Sequence, residues 1–282
     1  MRIAHILMVH KNPRQVLRLV ERLNHPFFDI YIHVDNKVDI LEYEFLLKIP
    51  RVKFIKSRIT CNWGGWSFTN AIIQSLKEVV DYNQNYDFVN LISGQDYPIH
   101  SSEYIYEYFS KRLGKNFLHI EEKDSVWFSE ALDRYEKFHF TDAKFKGKYF
   151  LQNILNLVSK KRKFPDGMEF HGGSKSSWWT ISYDCAVYLT SKLHNNKELK
   201  KFFKYSWGSD EFVIASIIMN SEHGKNTTND NLRYIEWPED SAHPRILSIG
   251  DLNAITNSEM IFARKFDIAV DAEILDKLDK MP

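Results

Sequence analysis

Two apolar runs joined by a segment of helical spacing set the fold of the first part of this chain. Residues 3–9 and 28–34 are the apolar runs, and hydrophobic side chains recur at helical spacing between 16 and 23. A strand, a helix and a second strand in this order form a right-handed parallel crossover, and ligands of such sheets bind beyond the carboxyl ends of the strands. The pattern therefore predicts an α/β fold with a mostly parallel sheet. It also predicts that His10 and Asp35, which follow the two runs, lie on the ligand-binding rim.

The alternation of strand and helix patterns continues along the chain. Further strands are predicted at 52–55, 86–92, 116–120 and 232–237, and further helices at 71–79, 151–158, 184–193 and 212–219. Ser67 is expected to be the N-cap of the first of these helices. Because the sequence contains no internal repeat and no clear linker, we expect residues 1–282 to form a single domain. The segment from about residue 240 to 282 has little periodicity and is predicted to wrap around that domain.

Composition and short motifs argue against several classes of protein. The formal net charge of +1 argues against a nucleic acid as the main partner. The glycine signatures of dinucleotide-binding and P-loop proteins are missing from the sequence. Cys61 and Cys185 are the two cysteines, and they are not spaced as metal ligands. Since the N-terminal apolar run is also too short for a membrane anchor, we expect a cytoplasmic protein, either in solution or at the inner face of the membrane.

Two features of the composition leave alternatives open. Aromatic residues make up 15% of the chain, with 7 Trp and 14 Tyr, and they suit either core packing or stacking against sugar rings. A basic cluster consists of Lys160, Lys161, Arg162 and Lys163. This cluster is either a solvated loop or a contact with a membrane surface or an acceptor.

Residues 207–212, Trp-Gly-Ser-Asp-Glu-Phe, place two adjacent carboxylates in front of an apolar helical pattern. A helix N-terminus stabilises a carboxylate, so a capping role explains either acidic residue. The alternative is that Glu211 is a catalytic base, a role that requires a carboxylate held in a defined position. Asp210 would then be a helix-terminal orienting group, because adjacent residues of a helix point to different sides. Taken alone, the stretch does not decide between these roles.

A series of short motifs in a fixed order makes the sequence recognisable as a whole. They are His-Val-Asp-Asn-Lys at 33–37, Trp-Ser at 66–67, Ser-Gly-Gln-Asp-Tyr-Pro-Ile at 93–99, Ser-Asp-Glu-Phe at 209–212, Gly-Asp-Leu at 250–252 and Phe-Ala-Arg-Lys-Phe-Asp at 262–267. With the opening strand and His10, this series resembles the core-2/I-branching enzymes. These are β-1,6-N-acetylglucosaminyltransferases that share glycosyltransferase family 14 with the peptide O-xylosyltransferases. The resemblance covers nearly the whole chain and is weak over 141–170.

The resemblance implies a GT-A-type α/β fold with a central, mostly parallel twisted sheet flanked by helices and the C-terminal segment over the donor site. It implies a UDP-sugar donor, inversion at the anomeric carbon, and a glycan or lipid-linked glycan as acceptor. Glu211 matches the catalytic base of the family. Lys265 and Arg245 match two cations that hold the donor diphosphate in place of a divalent metal, so we expect neither a metal nor another cofactor. The missing Asp-x-Asp metal signature agrees with this expectation.

The resemblance also assigns the remaining contacts with the substrates. The residues matched to nucleotide binding are Val9, His10, Asp35 and Trp63, and those matched to acceptor binding are Trp237, Glu121, Glu122, Arg134 and Asp96. For Arg134 the alternative is an ordinary salt-bridged face shared with Glu136.

The function expected from the resemblance is transfer of a sugar, foremost GlcNAc in β-1,6 linkage, during synthesis of a bacterial surface polysaccharide. Transfer of xylose or galactose is the alternative within the same family. Two other classes remain open: a non-catalytic carbohydrate-binding protein and a nucleotide-sugar hydrolase.

Overall fold

The computed structural model describes residues 1–82, 84–238, 241 and 243–281. Its strands are β1 (Ile3–Val9), β2 (Phe28–Val34), β3 (Val52–Phe54), β4 (Phe88–Ser93), β5 (Asp96–Pro98), β6 (Asn116–Phe117), β7 (Thr180–Ser182), β8 (Thr227–Thr228), β9 (Arg233–Ile235) and β10 (Phe262–Arg264). Its α-helices are α1 (Pro13–Arg22), α2 (Trp66–Asp81), α3 (Ser102–Ser110), α4 (Val126–Glu136), α5 (Lys148–Val158), α6 (Tyr183–Asn195), α7 (Lys197–Phe203), α8 (Val213–Met219), α9 (Leu252–Thr256) and α10 (Glu273–Leu278).

The larger sheet has seven strands in the order β3-β2-β1-β4-β7-β6-β8. Strand β1 lies between β2 and β4 and is parallel to both, with Ile3 opposite Phe28 and Phe88. Strand β7 runs antiparallel to β4 and β6. The predicted α/β class with a central, mostly parallel sheet is therefore confirmed.

Strand β1 is buried throughout and is apolar except for His5, because both faces of the sheet are covered. Leu7 packs in one buried cluster with Leu19 of α1. Its neighbour Ile6 points to the other face and packs in a second buried cluster with Ile72 of α2 and Ile218 of α8. This alternation along the strand fixes helices on both faces, so the carboxyl ends of β1, β2 and β4 meet at one open edge.

A second sheet of three strands, in the order β5-β10-β9, brings the C-terminal segment to that edge. Strand β10 is antiparallel to β5 and parallel to β9. Just beyond it, the backbone N–H of Phe266 donates to the carbonyl oxygen of Gln95 over 2.8 Å. The residues around Arg264 are thereby held beside the carboxyl end of β4. The single-domain organisation over 1–282 stays a prediction.

Several local predictions are corrected by the structure. Helix α2 begins at Trp66 with Gly65 as its N-cap. The capping role predicted for Ser67 is wrong, because its hydroxyl donates to Asp142 and accepts from the backbone of Asn62. The strands predicted at 116–120 and 232–237 shorten to β6 and β9, because pairing partners are present over only two and three residues.

Two residues of the basic cluster at 160–163, Lys161 and Arg162, are bonded to other parts of the protein. The guanidinium of Arg162 donates to the backbone carbonyls of Lys137, Tyr205 and Phe202, so this side chain is turned into the protein. Lys161 forms an ion pair with Glu136. The predicted membrane contact is therefore wrong for Arg162, whose side chain is occupied by the protein itself. Within the described ranges, no helix combines the length and apolar character needed to cross a membrane.

Candidate active site

A cleft of about 420 Å³ lies at the carboxyl ends of the parallel strands. It is lined by Val9 at the end of β1, His10 after β1, Asp35 after β2 and Gln95 after β4. This volume is in the range of sites that enclose a small ligand. His10 and Asp35 thus lie on the rim where parallel strand ends meet, as the opening pattern predicts. The carboxylate of Asp35 accepts hydrogen bonds from the backbone N–H groups of Lys37 and Cys61.

Glu211 also lines the cleft, and it belongs to a 3-10 turn, Ser209–Glu211, rather than to α8. Glu211 therefore lies in the turn that precedes α8, outside the helix itself. The turn is anchored on both sides. The hydroxyls of Ser209 and Thr69 are 2.6 Å apart, and Phe212 is fully buried among aromatic rings that include Phe170. Glu211 is fixed at the cleft surface by these two anchors.

The carboxylate of Glu211 has one occupied and one open oxygen. Oε2 accepts hydrogen bonds from Trp127 Nε1 over 3.1 Å and from Arg134 Nη1. Oε1 accepts none from the described residues. Burial raises the pKa of Glu211 to about 7, with the Arg134 charge acting against the rise and the Asp210 charge adding to it. A carboxyl group with this pKa is half ionised near neutral pH, where it can take up a proton.

Arg134 binds the carboxylate of Glu211 from the protein side, without lining the cleft itself. Its guanidinium lies between two indole rings, 5.2 Å from the centroid of Trp127 and 4.8 Å from that of Trp207. Gly208 makes room for it: its φ is +60°, and a Cβ there would lie 2.8 Å from Arg134 Nη1. Arg134 therefore holds the carboxylate of Glu211. The alternative pairing with Glu136 is wrong, because Glu136 is paired with Lys161.

Asp210 also lines the cleft. Its carboxylate accepts a hydrogen bond from the hydroxyl of Ser177 over 2.7 Å, and burial raises its pKa. Neither the 3-10 turn nor α8 has a side-chain cap. The helix-terminal role predicted for Asp210 is therefore wrong, because this side chain turns into the cleft.

Two basic residues, Lys265 and Arg264, line the same cleft as the carboxylates of Asp210 and Glu211. Lys265 lines the cleft and forms no side-chain hydrogen bond or ion pair with any residue in the described part of the chain. Burial lowers its pKa, and the nearby charges of Arg264 and Lys11 lower it further, whereas Asp267 raises it. Arg264 also lines the cleft, with its guanidinium 4.5 Å from the ring centroid of Trp178. An anion is the ligand that such a cluster of positive charge attracts.

The model of the Core-2/I-Branching enzyme family matches residues 3–260. The chain belongs to this family. Similar proteins are the xylosyltransferase 1 of Canis lupus familiaris, the xylosyltransferase oxt of Drosophila melanogaster and a xylosyltransferase of Ciona intestinalis, which are 26%, 25% and 26% identical. Each similarity covers 99% of this chain but only 30%, 33% and 34% of the relative. The chain thus spans about a third of the length of these relatives.

Among solved structures, mouse xyloside xylosyltransferase 1 in its apo form is 11% identical, covers 93% of this chain and 97% of its own, and has a TM-score of 0.43. A TM-score of this size is too low to establish a common fold, so the family assignment rests on the sequence match.

Five residues predicted from the Core-2/I-Branching resemblance lie outside the cleft wall formed by the described residues, and Arg134, which holds Glu211, is one of them. Arg245 is bonded to the carboxylates of Glu236 and Asp251, so it does not reach the cleft in this structure. Asp96 is fully buried between Arg233 and Arg264, which rules out direct contact with an acceptor in this conformation. In this structure carboxylate–guanidinium pairing takes both side chains away from the cleft, and their roles in substrate binding stay predictions.

The other two residues outside the wall are Glu121 and Glu122. Glu121 accepts a hydrogen bond from the hydroxyl of Ser174, which does line the cleft, and is 3.2 Å from His119. Glu122 is exposed before α4. Ser174 therefore lies between Glu121 and the cleft. Glu122 does not line the cleft and is exposed to solvent.

Two tryptophans predicted to bind substrates do line the cleft. Trp63 is 64% exposed and stands edge to face against Trp207 and His243. Trp237 is fixed by a hydrogen bond of 2.7 Å from its Nε1 to the carbonyl of Ser241. Both rings present an apolar surface at the mouth of the site, which suits a sugar or a base.

Sequence reasoning missed Trp127 and Arg264. Trp127 lies in α4 and has no motif around it, so nothing in the sequence distinguishes it from a core aromatic. Arg264 directly precedes Lys265 in the Phe-Ala-Arg-Lys motif, and this position was the available signal.

No group of three or more His, Cys, Asp or Glu side chains in the described ranges is arranged to hold a metal ion.

Proposed function

We propose that this protein is an inverting glycosyltransferase that uses a UDP-sugar donor and Glu211 as its general base. The observation that carries the proposal is the state of the Glu211 carboxylate. One oxygen is held by Arg134 and Trp127, the other accepts no hydrogen bond from the described residues, and the pKa is about 7. A base for an acceptor hydroxyl needs this combination of a fixed position, an open oxygen and a pKa near neutrality.

In this mechanism the acceptor hydroxyl lies against the open oxygen of Glu211. The hydroxyl oxygen attacks the anomeric carbon as its proton passes to Glu211, and the bond from that carbon to the UDP oxygen breaks on the opposite face. A single in-line displacement inverts the anomeric configuration and requires one base. Product release leaves a protonated carboxyl, which returns its proton to water.

The negative charge of the departing UDP is met by the cation cluster. Lys265 is the group without a protein partner in the described ranges, and Arg264 lines the cleft with it, whereas Lys11 is paired with Asp267 over 2.6 Å. Preorganised positive charge at a leaving group stabilises the transition state. We infer that Lys265 and Arg264 take the role that a divalent cation has in other transferases. The rim residues Val9, His10 and Asp35, together with Trp63, are the proposed nucleotide contacts.

For the transferred sugar we propose GlcNAc in β-1,6 linkage, onto a glycan or lipid-linked glycan of a bacterial surface polysaccharide. Xylose is a second candidate, because the similar proteins from dog, Drosophila and Ciona are named xylosyltransferases. A purely carbohydrate-binding role accounts less well for a carboxyl of raised pKa in the same cleft as an unpaired lysine. The cytoplasmic location stays a prediction.

The test is UDP release in the presence of a chelator, with UDP-GlcNAc, UDP-xylose and UDP-galactose supplied separately. We expect one donor to be turned over with a suitable oligosaccharide acceptor, and the new linkage to be β. Release of UDP without any glycosylated product would instead identify a hydrolase. Binding of glycans without binding of UDP would identify a lectin, and loss of turnover on chelation would contradict the metal-free proposal.

A further inference from the structure

Helix α5 is attached to the protein through its polar side chains. Lys148, Gln152 and Asn156 recur every four residues and so lie on one face of the helix. Gln152 accepts a hydrogen bond from the backbone N–H of Phe140 over 2.8 Å, and Asn156 bonds both backbone groups of Phe138. Lys148 donates to two backbone carbonyls of the same loop. The face that normally points to solvent is here the face turned to the protein.

The apolar side chains of α5 consequently point outward. No residue between Lys148 and Val158 is buried. Phe150, Leu157 and Val158 are 72%, 86% and 75% exposed. The same surface also includes Phe145, Tyr149, Leu151 and Ile154. Contiguous apolar exposure of this kind is uncommon on a protein that meets only water, and it marks a binding surface.

Positive charge surrounds this apolar surface. Residues 143–165 contain seven basic and no acidic side chains, although the whole chain has a net charge of only +1. The rest of the chain therefore carries −6. Lys148 and Arg162 bond to the protein and Lys161 is paired with Glu136, which leaves four basic side chains for the surface. Lys144 and Lys146 precede the helix, Lys160 and Lys163 follow it, and all four are exposed. The one strongly basic region of the sequence thus coincides with the exposed apolar helix.

We propose that residues 144–163 form a docking surface for an anionic phospholipid bilayer, with α5 lying in the plane of the membrane interface. Phe150, Leu157 and Val158 would enter the boundary between headgroups and acyl chains, and the flanking lysines would contact lipid phosphates. A second copy of the chain is a poorer occupant, because a symmetric contact would bring the lysine-rich borders of two molecules together. An anionic bilayer supplies both an apolar layer and the opposite charge.

The docking surface is linked to the cleft through Asp142. This carboxylate accepts hydrogen bonds from the side chain of Asn62 over 2.8 Å and from the backbone N–H of Ser67 over 2.7 Å, and Asn62 lines the cleft. Docking would therefore place the cleft beside the bilayer, within reach of an acceptor carried on a lipid. Only this last point rests on the proposed function, since membrane binding itself requires neither donor nor acceptor.

The experiment measures co-sedimentation of the full chain with vesicles of equimolar phosphatidylglycerol and phosphatidylcholine, and with phosphatidylcholine alone. We expect binding to the anionic vesicles, weakened by salt. The Phe150→Gln/Leu157→Gln double variant should lose about tenfold or more of the partitioning. The matched control is Leu41→Gln/Val270→Gln, which changes two apolar side chains, 62% and 64% exposed, elsewhere on the surface. This control should bind like the parent.

Lys144→Gln/Lys146→Gln separates the contribution of charge and should weaken binding to the anionic vesicles. All the changed side chains are exposed, and circular dichroism checks that each variant is folded. The proposal is overturned if the parent does not bind anionic vesicles or if the Phe150→Gln/Leu157→Gln variant binds as well as the parent. It is also overturned if the parent forms a dimer that this variant abolishes, since the surface would then join two copies. None of these readouts involves sugar transfer, so failure here is distinguishable from failure of the proposed function.

Discussion

Arg134 Nη1 lies 2.5 Å from Glu211 Oε2, and the two side chains are only 17% and 21% exposed. Burial and this ion pair act on Glu211 in opposite directions, with burial the larger effect, so the pKa of Glu211 is about 7. The pair also fixes which carboxylate oxygen is left for a substrate. These properties of Glu211 lead to the predictions on pH and on substitution.

The rate of transfer should depend on pH through the ionisation of Glu211. A general base must be deprotonated, so kcat/KM should be low below the pKa, rise through about pH 7 and level off above it. The measurement is a pH–rate profile of the wild-type protein in buffers of constant ionic strength. A profile that stays flat on the acidic side of neutrality would contradict the assignment of this pKa to the base.

Substitution of Arg134 separates its effect on Glu211 from a purely structural role. The guanidinium lowers the pKa of Glu211, so Arg134→Ala should move the acidic limb of the profile to higher pH. Arg134→Lys keeps a positive charge, so the acidic limb of its profile should lie close to the pH at which it lies in the wild type. If Arg134 were only structural, both variants would lower the rate at every pH without moving the limb.

Lys265 and Arg245 should differ in their importance for the donor. Lys265 lines the cleft without a side-chain partner in the described ranges, whereas Arg245 is bonded to Glu236 and Asp251. Lys265→Ala should lower kcat/KM by about a hundredfold or more, because it removes charge stabilisation at the leaving group. Arg245→Ala should change it little, because this side chain does not line the cleft in the structure.

The control for these two variants is Lys225→Ala, which changes an exposed lysine outside the cleft. The kinetic constants are measured by UDP release at varied donor concentration. Equal losses for Lys265→Ala and Arg245→Ala would show that Arg245 leaves its carboxylate partners when the donor binds.

The comparison of Lys265 with Arg245 shows how far the sequence could go. Buried parallel strands need continuous apolar runs, so β1, β2 and the rim positions of His10 and Asp35 were predictable. The partners of Arg245 depend on how β9 and the segment before α9 come together, and no local pattern encodes that. The same holds for Trp127, which only the packing of α4 brings to Glu211.

Helix α5 shows a second kind of limit. Its hydrophobic spacing predicts a helix with two different faces, and the structure contains that helix. Periodicity does not tell which face turns inward, and soluble proteins almost always bury the apolar one. The hydrogen bonds of Gln152 and Asn156 to the loop at 138–140 reverse the usual orientation. That reversal could be found only from the three-dimensional arrangement.

Gly172 should be needed for the position of Glu211. A Cβ at residue 172 would lie 2.4 Å from the carbonyl oxygen of Glu211 and 2.8 Å from Phe212 Cβ, so Gly172→Ala must displace the turn that carries the base. We expect a loss of about 1–3 kcal/mol in the free energy of unfolding and a lower kcat. Both are measured, by denaturant titration and by UDP release.

The matched control is Gly250→Ala, where the nearest atom to the added Cβ is 3.8 Å away. This change should leave both quantities nearly unaltered. Wild-type kcat in Gly172→Ala would show that the turn tolerates the displacement and that the position of Glu211 is not critical.

The central claim is that Glu211 is the base, and the direct measurement is product formation by Glu211→Gln under saturating donor and acceptor. Glutamine keeps the shape of the side chain and can still accept a hydrogen bond, but it cannot take the proton of the acceptor hydroxyl. We predict that kcat falls by about a hundredfold or more, while the affinity for UDP measured by calorimetry stays unchanged. A variant that binds UDP normally and turns over at a rate close to the wild type would contradict the account.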